Sequence, residues 1–293
     1  MKTLVRLIAF AAVLATLQSL ALAQNGQRFG YTATDRDNPA ITDHEVYRIN
    51  LDNPGATIVV GTTGVPQELE GFFSVDGPTN SRLFGVAENP DATSTGDPSV
   101  LVDLSPATCG NGGKGVPIGQ TGINFGTEAG SAWDPITGVA YSVASDDLNP
   151  ADGTVLYMIN PSTGVATPIS QTPNLYLDGL AFGGDGTLYG SDARLSDSLY
   201  RYDFDNDVWV LVGSFGISTN EDSGLANYRG LGGSETNLFM ITEGDGALLG
   251  RLWTVNASTG ALTLVGNITF PDGSEVPEDL EGFDIPWKPV VCN

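Results

Sequence analysis

The sequence predicts an all-β fold, a five-bladed β-propeller of four-stranded antiparallel blades. Three observations carry that expectation: one four-strand unit recurs, the units run out of phase with the chain ends, and turn residues are abundant. Of 293 residues, 38 are Gly and 17 are Pro, 41% are hydrophobic and only 16% are charged. A chain this apolar can build a core. One this rich in Gly suits short strands joined by turns rather than helices or disorder.

The clearest unit runs from Tyr176 to Gly213 and reads LDGLAF, GTLYGSD, SLYRYDFDND and VWVLVG. These are four short alternating runs separated by turn residues, the pattern of a four-stranded meander, here called strands A to D. Strand A carries a glycine at Gly71, Gly130, Gly179, Gly230 and Gly282. Strand B carries an aromatic at Phe29, Phe84, Tyr141, Tyr189 and Phe239. Strand C carries Tyr47, Tyr157, Tyr200 and Trp253, with Val102 in the second copy. Strand D ends in Val60-Gly61, Ile118-Gly119, Val212-Gly213 and Val265-Gly266, with Ile169-Ser170 as the exception. Near the axis a glycine lets backbones approach, and aromatics are plates that fill the wedge between blades.

The chain begins with a B strand at 28–33 and ends with an A strand at 280–285. The counts balance only if the two ends share one sheet, which closes the ring and leaves no open edge at its ends. A β-sandwich is the competing architecture, but it gives no reason for five copies with permuted ends.

Residues 1–23 read as a secretory signal peptide. Lys2 and Arg6 precede an apolar run from Leu7 to Leu22 that ends in Ala21-Leu22-Ala23. That run is about 16 residues, short of the roughly 20 that span a bilayer. The expectation is a secreted or periplasmic mature chain, residues 24–293, forming one propeller domain with no membrane span. With 35 acidic against 12 basic residues and a formal charge of −23, nucleic acid is excluded as a partner, because phosphate binding needs clustered cations. An extracellular ligand or protein of unknown identity is the expected partner.

Most of the acids fall in the B-to-C and D-to-A connections, which share one face of a propeller. The start of strand A lies beside the end of strand B, so Glu70 neighbours Glu88, Asp178 neighbours Asp192, and Glu281 neighbours Asp35. In the fourth blade the equivalent place falls to Arg229, opposite Glu243. Paired carboxylates repel unless a cation sits between them, and an oxygen-only site suits Ca²⁺. The plainer reading is that these acids cap loop amides and keep the surface soluble. Asp203-Phe204-Asp205-Asn206-Asp207 begins like a calcium loop, but Val208 stands where such a loop needs glycine, so it reads as a C-to-D turn.

The layout resembles secreted five- and six-bladed propellers of the gluconolactonase/regucalcin type and the esterase-like phytase type. The residues that carry the resemblance are Leu69-Glu70-Gly71-Phe72, Leu280-Glu281-Gly282-Phe283, and Leu177-Asp178-Gly179-Leu180-Ala181-Phe182 followed by Gly186-Thr187-Leu188-Tyr189. In the gluconolactonase type an acid before an inner-strand glycine binds a divalent cation, which implicates Glu70, Glu281 and Asp178. Five-bladed glycosidases use inner-strand acids too, and the same three residues would be acid and base candidates.

His44 is the only histidine and reads as a surface-loop residue; no nucleophile motif accompanies it. Cys109 and Cys292 are the only cysteines. One lies in the second blade's C-to-D turn and the other just past the last strand, on the same face. An exported chain permits a disulfide between them. The reading is a binding or scaffold propeller, stabilised by Ca²⁺. The alternatives are a metal-dependent lactonase, esterase or phosphoesterase, and then a carboxylate glycosidase.

Overall fold

A computed structural model describes residues 28–34, 43–87, 99–109, 112–123, 128–145, 150–219, 223–230, 233–242, 250–276 and 280–291. The expected signal peptide, Asp35, Glu88, Glu243 and Cys292 lie outside these residues.

The strands fall in order along the chain. The first group is β1 (Phe29–Thr34), β2 (Glu45–Asn50) and β3 (Ile58–Thr62). The second is β4 (Leu69–Asp76), β5 (Ser81–Ala87), β6 (Val100–Asp103), the two-residue β7 (Gly113–Lys114) and β8 (Val116–Gln120). The third is β9 (Glu128–Asp134), β10 (Val139–Ser145), β11 (Thr154–Ile159) and β12 (Ala166–Thr172). The fourth is β13 (Gly179–Phe182), β14 (Leu188–Asp192), β15 (Ser198–Asp203) and β16 (Val208–Ser214). The last is β17 (Ser223–Asn227), β18 (Leu238–Thr242), β19 (Arg251–Val255) and β20 (Leu262–Asn267), followed by the closing strand β21 (Leu280–Asp284).

They form five sheets in the orders β21-β1-β2-β3-β7, β4-β5-β6-β8, β9-β10-β11-β12, β13-β14-β15-β16 and β17-β18-β19-β20. The two ends of the described chain meet as the phase argument requires. Tyr31 pairs with Asp284, Ala33 with Glu281 and Thr34 with Leu280, all antiparallel. The fold is a five-bladed propeller sealed by its last strand.

The inner strands form a closed ring, and glycines set its radius. A Cβ on Gly130 would sit 2.8 Å from Gly179, and one on Gly179 would sit 2.7 Å from the Leu225 nitrogen. One on Gly224 would meet Gly282 at 2.7 Å, and one on Gly282 would meet the Glu70 oxygen at 2.6 Å. Any side chain at these places forces the ring apart. The ring also corrects the fourth strand A. Its glycine is Gly224, not Gly230, and Gly230 lies beyond the strand with φ of 64°.

The outer strands interlock through a second repeated contact. A Cβ on Gly119 would meet the backbone of Thr163, one on Gly213 that of Thr259, and one on Gly266 the ring of Pro54. Each outer-strand glycine thus packs under the next blade's C-to-D turn. Ser170 departs from the pattern because Tyr202 of the next blade donates a 2.9 Å hydrogen bond to its hydroxyl. All five C–D pairs also carry a register shift at the same point, beside Tyr47, Val102, Tyr157, Tyr200 and Trp253. Such bulges sharpen the twist that each blade needs.

The core lies between blades. Phe73 and Phe84 stack at 5.1 Å and pack with Val86 and Leu101 against Ala140 and Ile159 of the next sheet. Each fully buried Phe or Leu contributes about 1.5–3 kcal/mol. One addition was not foreseen. The second blade's C-to-D excursion returns to lay β7 parallel on β3, pairing Gly61 with Gly113 and Thr62 with Lys114.

Candidate functional site

Glu70, Asp178 and Glu281 each immediately precede a ring glycine, so the sequence delivers all three to one end of the axis. All three are buried, at 4%, 3% and 7% exposure. The axis beside them is filled rather than open. Phe72, Leu180, Leu225 and Phe283 line an axial space of about 120 Å³ that holds no water-sized sphere. Among the described residues, the axial space between the inner strands is thus filled by side chains. Among the described residues, no three His, Cys, Asp or Glu side chains come together as a metal-binding group.

Asp178 and Asp192 do come together in register, since the Asp178 N–H donates to the Ser191 oxygen at 3.1 Å. Their carboxylates then diverge. Asp178 accepts from the Ser191 and Ser223 hydroxyls at 3.1 and 2.9 Å and from the Ala193 N–H at 3.3 Å. Asp192 accepts from the N–H groups of Leu195 and Ser196 at 2.8 and 3.1 Å and from the Ser196 hydroxyl at 2.8 Å. Burial still raises the Asp192 pKa above the ordinary carboxylate range, against those hydrogen bonds. Internal donors thus satisfy part of each carboxylate. Pairing of Leu69 with Ala87 and of Ala33 with Glu281 directs the chain toward Glu88 and Asp35, which lie outside the described residues.

The other end of the axis holds a cluster that the sequence reading missed. Arg229 follows β17 rather than opening it, so it stands at the opposite face from the expected one. It crosses beneath the ring to Asp76 at the end of β4, 2.6 Å away, and its second nitrogen donates to the Trp133 oxygen of β9 at 3.3 Å. Trp287 holds the Arg229 loop in place by donating to the Gly230 oxygen at 2.9 Å. Asp76 also accepts from the Ser81 hydroxyl at 2.6 Å. Asp284, at the end of β21, faces the same cluster. Its Oδ2 is shielded from solvent with no hydrogen-bond partner in the structure. Burial pushes its pKa up to about 7, against a Ser74 hydrogen bond and the Arg229 charge, with the Asp76 charge adding to the rise. One signal could have found this site: Asp76, Asp134, Asn227 and Asp284 all end inner strands.

Two open grooves lie on this second face. One, of about 600 Å³, runs between the fifth and first blades past Arg28, Asp52, Asn237 and Asn256. Arg28 pairs with Asp52 and lies over the Tyr228 and Phe239 rings. The other, of about 400 Å³, lies between the fourth and fifth blades and is lined by Asp185, Tyr189, Arg201 and Val210 to Val212.

Two smaller readings are resolved. His44 is not a surface residue: it is 2% exposed, and its Nε2 lies 3.0 Å from the Pro66 oxygen. Residues 203–207 form a turn, with the Asp203 carboxylate accepting from the N–H groups of Asp205 and Asn206. Tyr202 donates to Asp207.

No protein-family model matches the chain, and no curated protein matches it. Solved structures match in fold. A chain from a crystal structure of a nidogen/laminin complex aligns at TM-score 0.50 and 11% identity, over 90% of this chain and 99% of that one. A structural genomics protein of unknown function from Bacteroides thetaiotaomicron aligns at TM-score 0.45 and 13% identity, over 80% and 64%. A calcium-binding protein, regucalcin, from Agrobacterium tumefaciens aligns at TM-score 0.43 and 13% identity, over 85% and 73%. At 11% identity, the likeness to the nidogen/laminin chain is one of fold.

Proposed function

We propose that this chain is an exported, non-catalytic binding or scaffold propeller. The filled axial space between the described inner strands carries the reading. A general acid or base must come within hydrogen-bond reach of its substrate. Glu70, Asp178 and Glu281, the groups that a hydrolase or glycosidase would use, are buried, and Glu70 and Asp178 line a space of about 120 Å³. Small-molecule sites run to roughly 300–1,000 Å³. The nidogen/laminin structure is that of a complex, which supplies a fold-level analogy and no more. A panel of ester, lactone, phosphate and glycoside substrates, run beside elemental analysis of the purified protein, tests the reading. The expected result is no turnover above background. Saturable turnover abolished by Asp178→Asn would overturn it.

Two stabilising devices belong to the same reading. Ca²⁺ is proposed at the acidic B-to-C and D-to-A rim, on the density of carboxylates there. Millimolar Ca²⁺ should raise the melting temperature by about a few degrees and a chelator should reverse it; no movement in either direction removes the ion. A Cys109–Cys292 bridge is proposed to tie the C-terminal tail to the second blade, stabilising by about 2–4 kcal/mol. In its support, no described cysteine is free. The tail also runs beside that blade, with the Val291 N–H donating to the Ser81 oxygen at 3.1 Å. Two free thiols in unfolded, unreduced protein would exclude the bridge. Export predicts a mature N-terminus at Gln24, readable by mass spectrometry of the secreted chain.

A further inference from the structure

The five blades do not protect their outer edges equally. An outermost strand presents unpaired N–H and C=O groups, and folds blunt such edges with proline, charge or a covering segment. β8 carries Pro117 and β12 carries Pro168. β3 is covered by β7. β16 (VWVLVGS) and β20 (LTLVGN) contain neither proline nor charge. The far end of β20 is engaged, since Thr269 accepts from the Thr57 N–H at 3.1 Å and donates to the Pro54 oxygen at 3.2 Å. The far end of β16 is held too: Gly213 meets the Thr259–Gly260 turn, the Phe215 oxygen accepts from the Leu262 N–H at 3.1 Å, and Val212 packs toward Ala257 and Leu262. Its Val208 and Leu211 are 45% and 58% exposed.

Beside that edge lies the 400 Å³ groove. Tyr189 pairs with Arg201 and Arg201 pairs with Val210, so one row of side chains crosses β14, β15 and β16 toward the edge. The next place in that row is vacant, and Ala257 and Ser258 of the next blade form its far wall. At the start of β16 stands the Asp203–Asp205–Asp207 turn, its Asp205 and Asp207 exposed.

We propose that β16 accepts an extended segment of a partner protein as a fifth strand, with an apolar side chain opposite Val210 and a basic residue at the Asp203–Asp207 turn. Main-chain hydrogen bonds supply affinity in this mode, and alternate side chains in a flanking pocket supply selectivity. The chain already performs the operation on itself, where β7 covers β3. A basic partner follows from the three aspartates at the strand's entry and from the overall charge of −23, which attracts cationic segments over a Debye length. The proposal rests on the binding-module reading and names its surface and its partner class.

The test pans a phage-displayed library of random dodecapeptides against the whole mature chain. Enriched peptides should alternate apolar residues and carry Lys or Arg near one end. As synthetic peptides they should protect the amides of 208–212 from hydrogen exchange. Their affinity should fall at least tenfold with Leu211→Lys, fall several-fold with Asp205→Lys, and stay unchanged with Val116→Lys on the Pro-protected β8 edge. Peptides that bind wild type and Leu211→Lys equally overturn strand addition at β16 while leaving a binding module intact. No enrichment overturns the proposal. Self-association of the wild type in sedimentation, abolished by Leu211→Lys, also overturns it by making a second copy the occupant.

Discussion

The two ends of the inner ring solve the same problem by different means. At the entry end, buried Asp178 accepts from the Ser191 and Ser223 hydroxyls and the Ala193 amide, which are neutral donors. At the exit end, Asp76 is satisfied by a guanidinium that reaches across the axis, and Asp284 beside it keeps one shielded oxygen with no partner in the structure. Neutral donors spread the stabilisation over many weak contacts. A single buried ion pair concentrates it, and its loss strands a charge.

The largest expected effect therefore comes from Arg229→Met, which removes the guanidinium that pairs with Asp76. It should destabilise the fold by about 3–5 kcal/mol in chemical denaturation. A loss below about 1 kcal/mol would show that water replaces the guanidinium, and would erase the contrast between the ends.

Next in size is a pH dependence from Asp284. Its folded pKa is raised to about 7, above the ordinary carboxylate value of about 4. The folded state then holds a proton that the unfolded state releases. That contribution is fully present below about pH 4, declines as pH rises, and is gone above about pH 7. The span is on the order of 2–4 kcal/mol. Asp284→Asn should flatten this decline between pH 5 and 8, measured by urea midpoints. An unchanged slope would place the titration elsewhere.

The smallest effect is expected at the entry end. Ser223→Ala removes one hydroxyl donor to Asp178 and should cost about 1 kcal/mol. A cost as large as that of Arg229→Met would mean that Ser223 is as indispensable as the ion pair, and that the entry end is not distributed at all.

Much of the architecture was legible from residue types. The aromatics of the second strand, the glycines of the outer strand and the phase of the two chain ends identified blades and closure. The fourth blade was misread by taking Gly230, with Arg229 before it, as the ring glycine. Ser223 stands there instead, while Gly224-Leu225-Ala226 repeats Gly179-Leu180-Ala181. That shift carried Arg229 to the wrong face. Glu70, Asp178 and Glu281 were read correctly as neighbours of the axis. Their burial was not legible, because it depends on how far Phe72 and Phe283 reach inward.

Local pattern determined most of the strands, the blade order and the sealing of the ring, since alternation and glycine placement act over a few residues. Whether the axis is open, which carboxylates find hydroxyls, and which outer edge is left bare were decided only when the blades packed. Those outcomes depend on distances between side chains from separate repeats, and no repeat encodes them by itself.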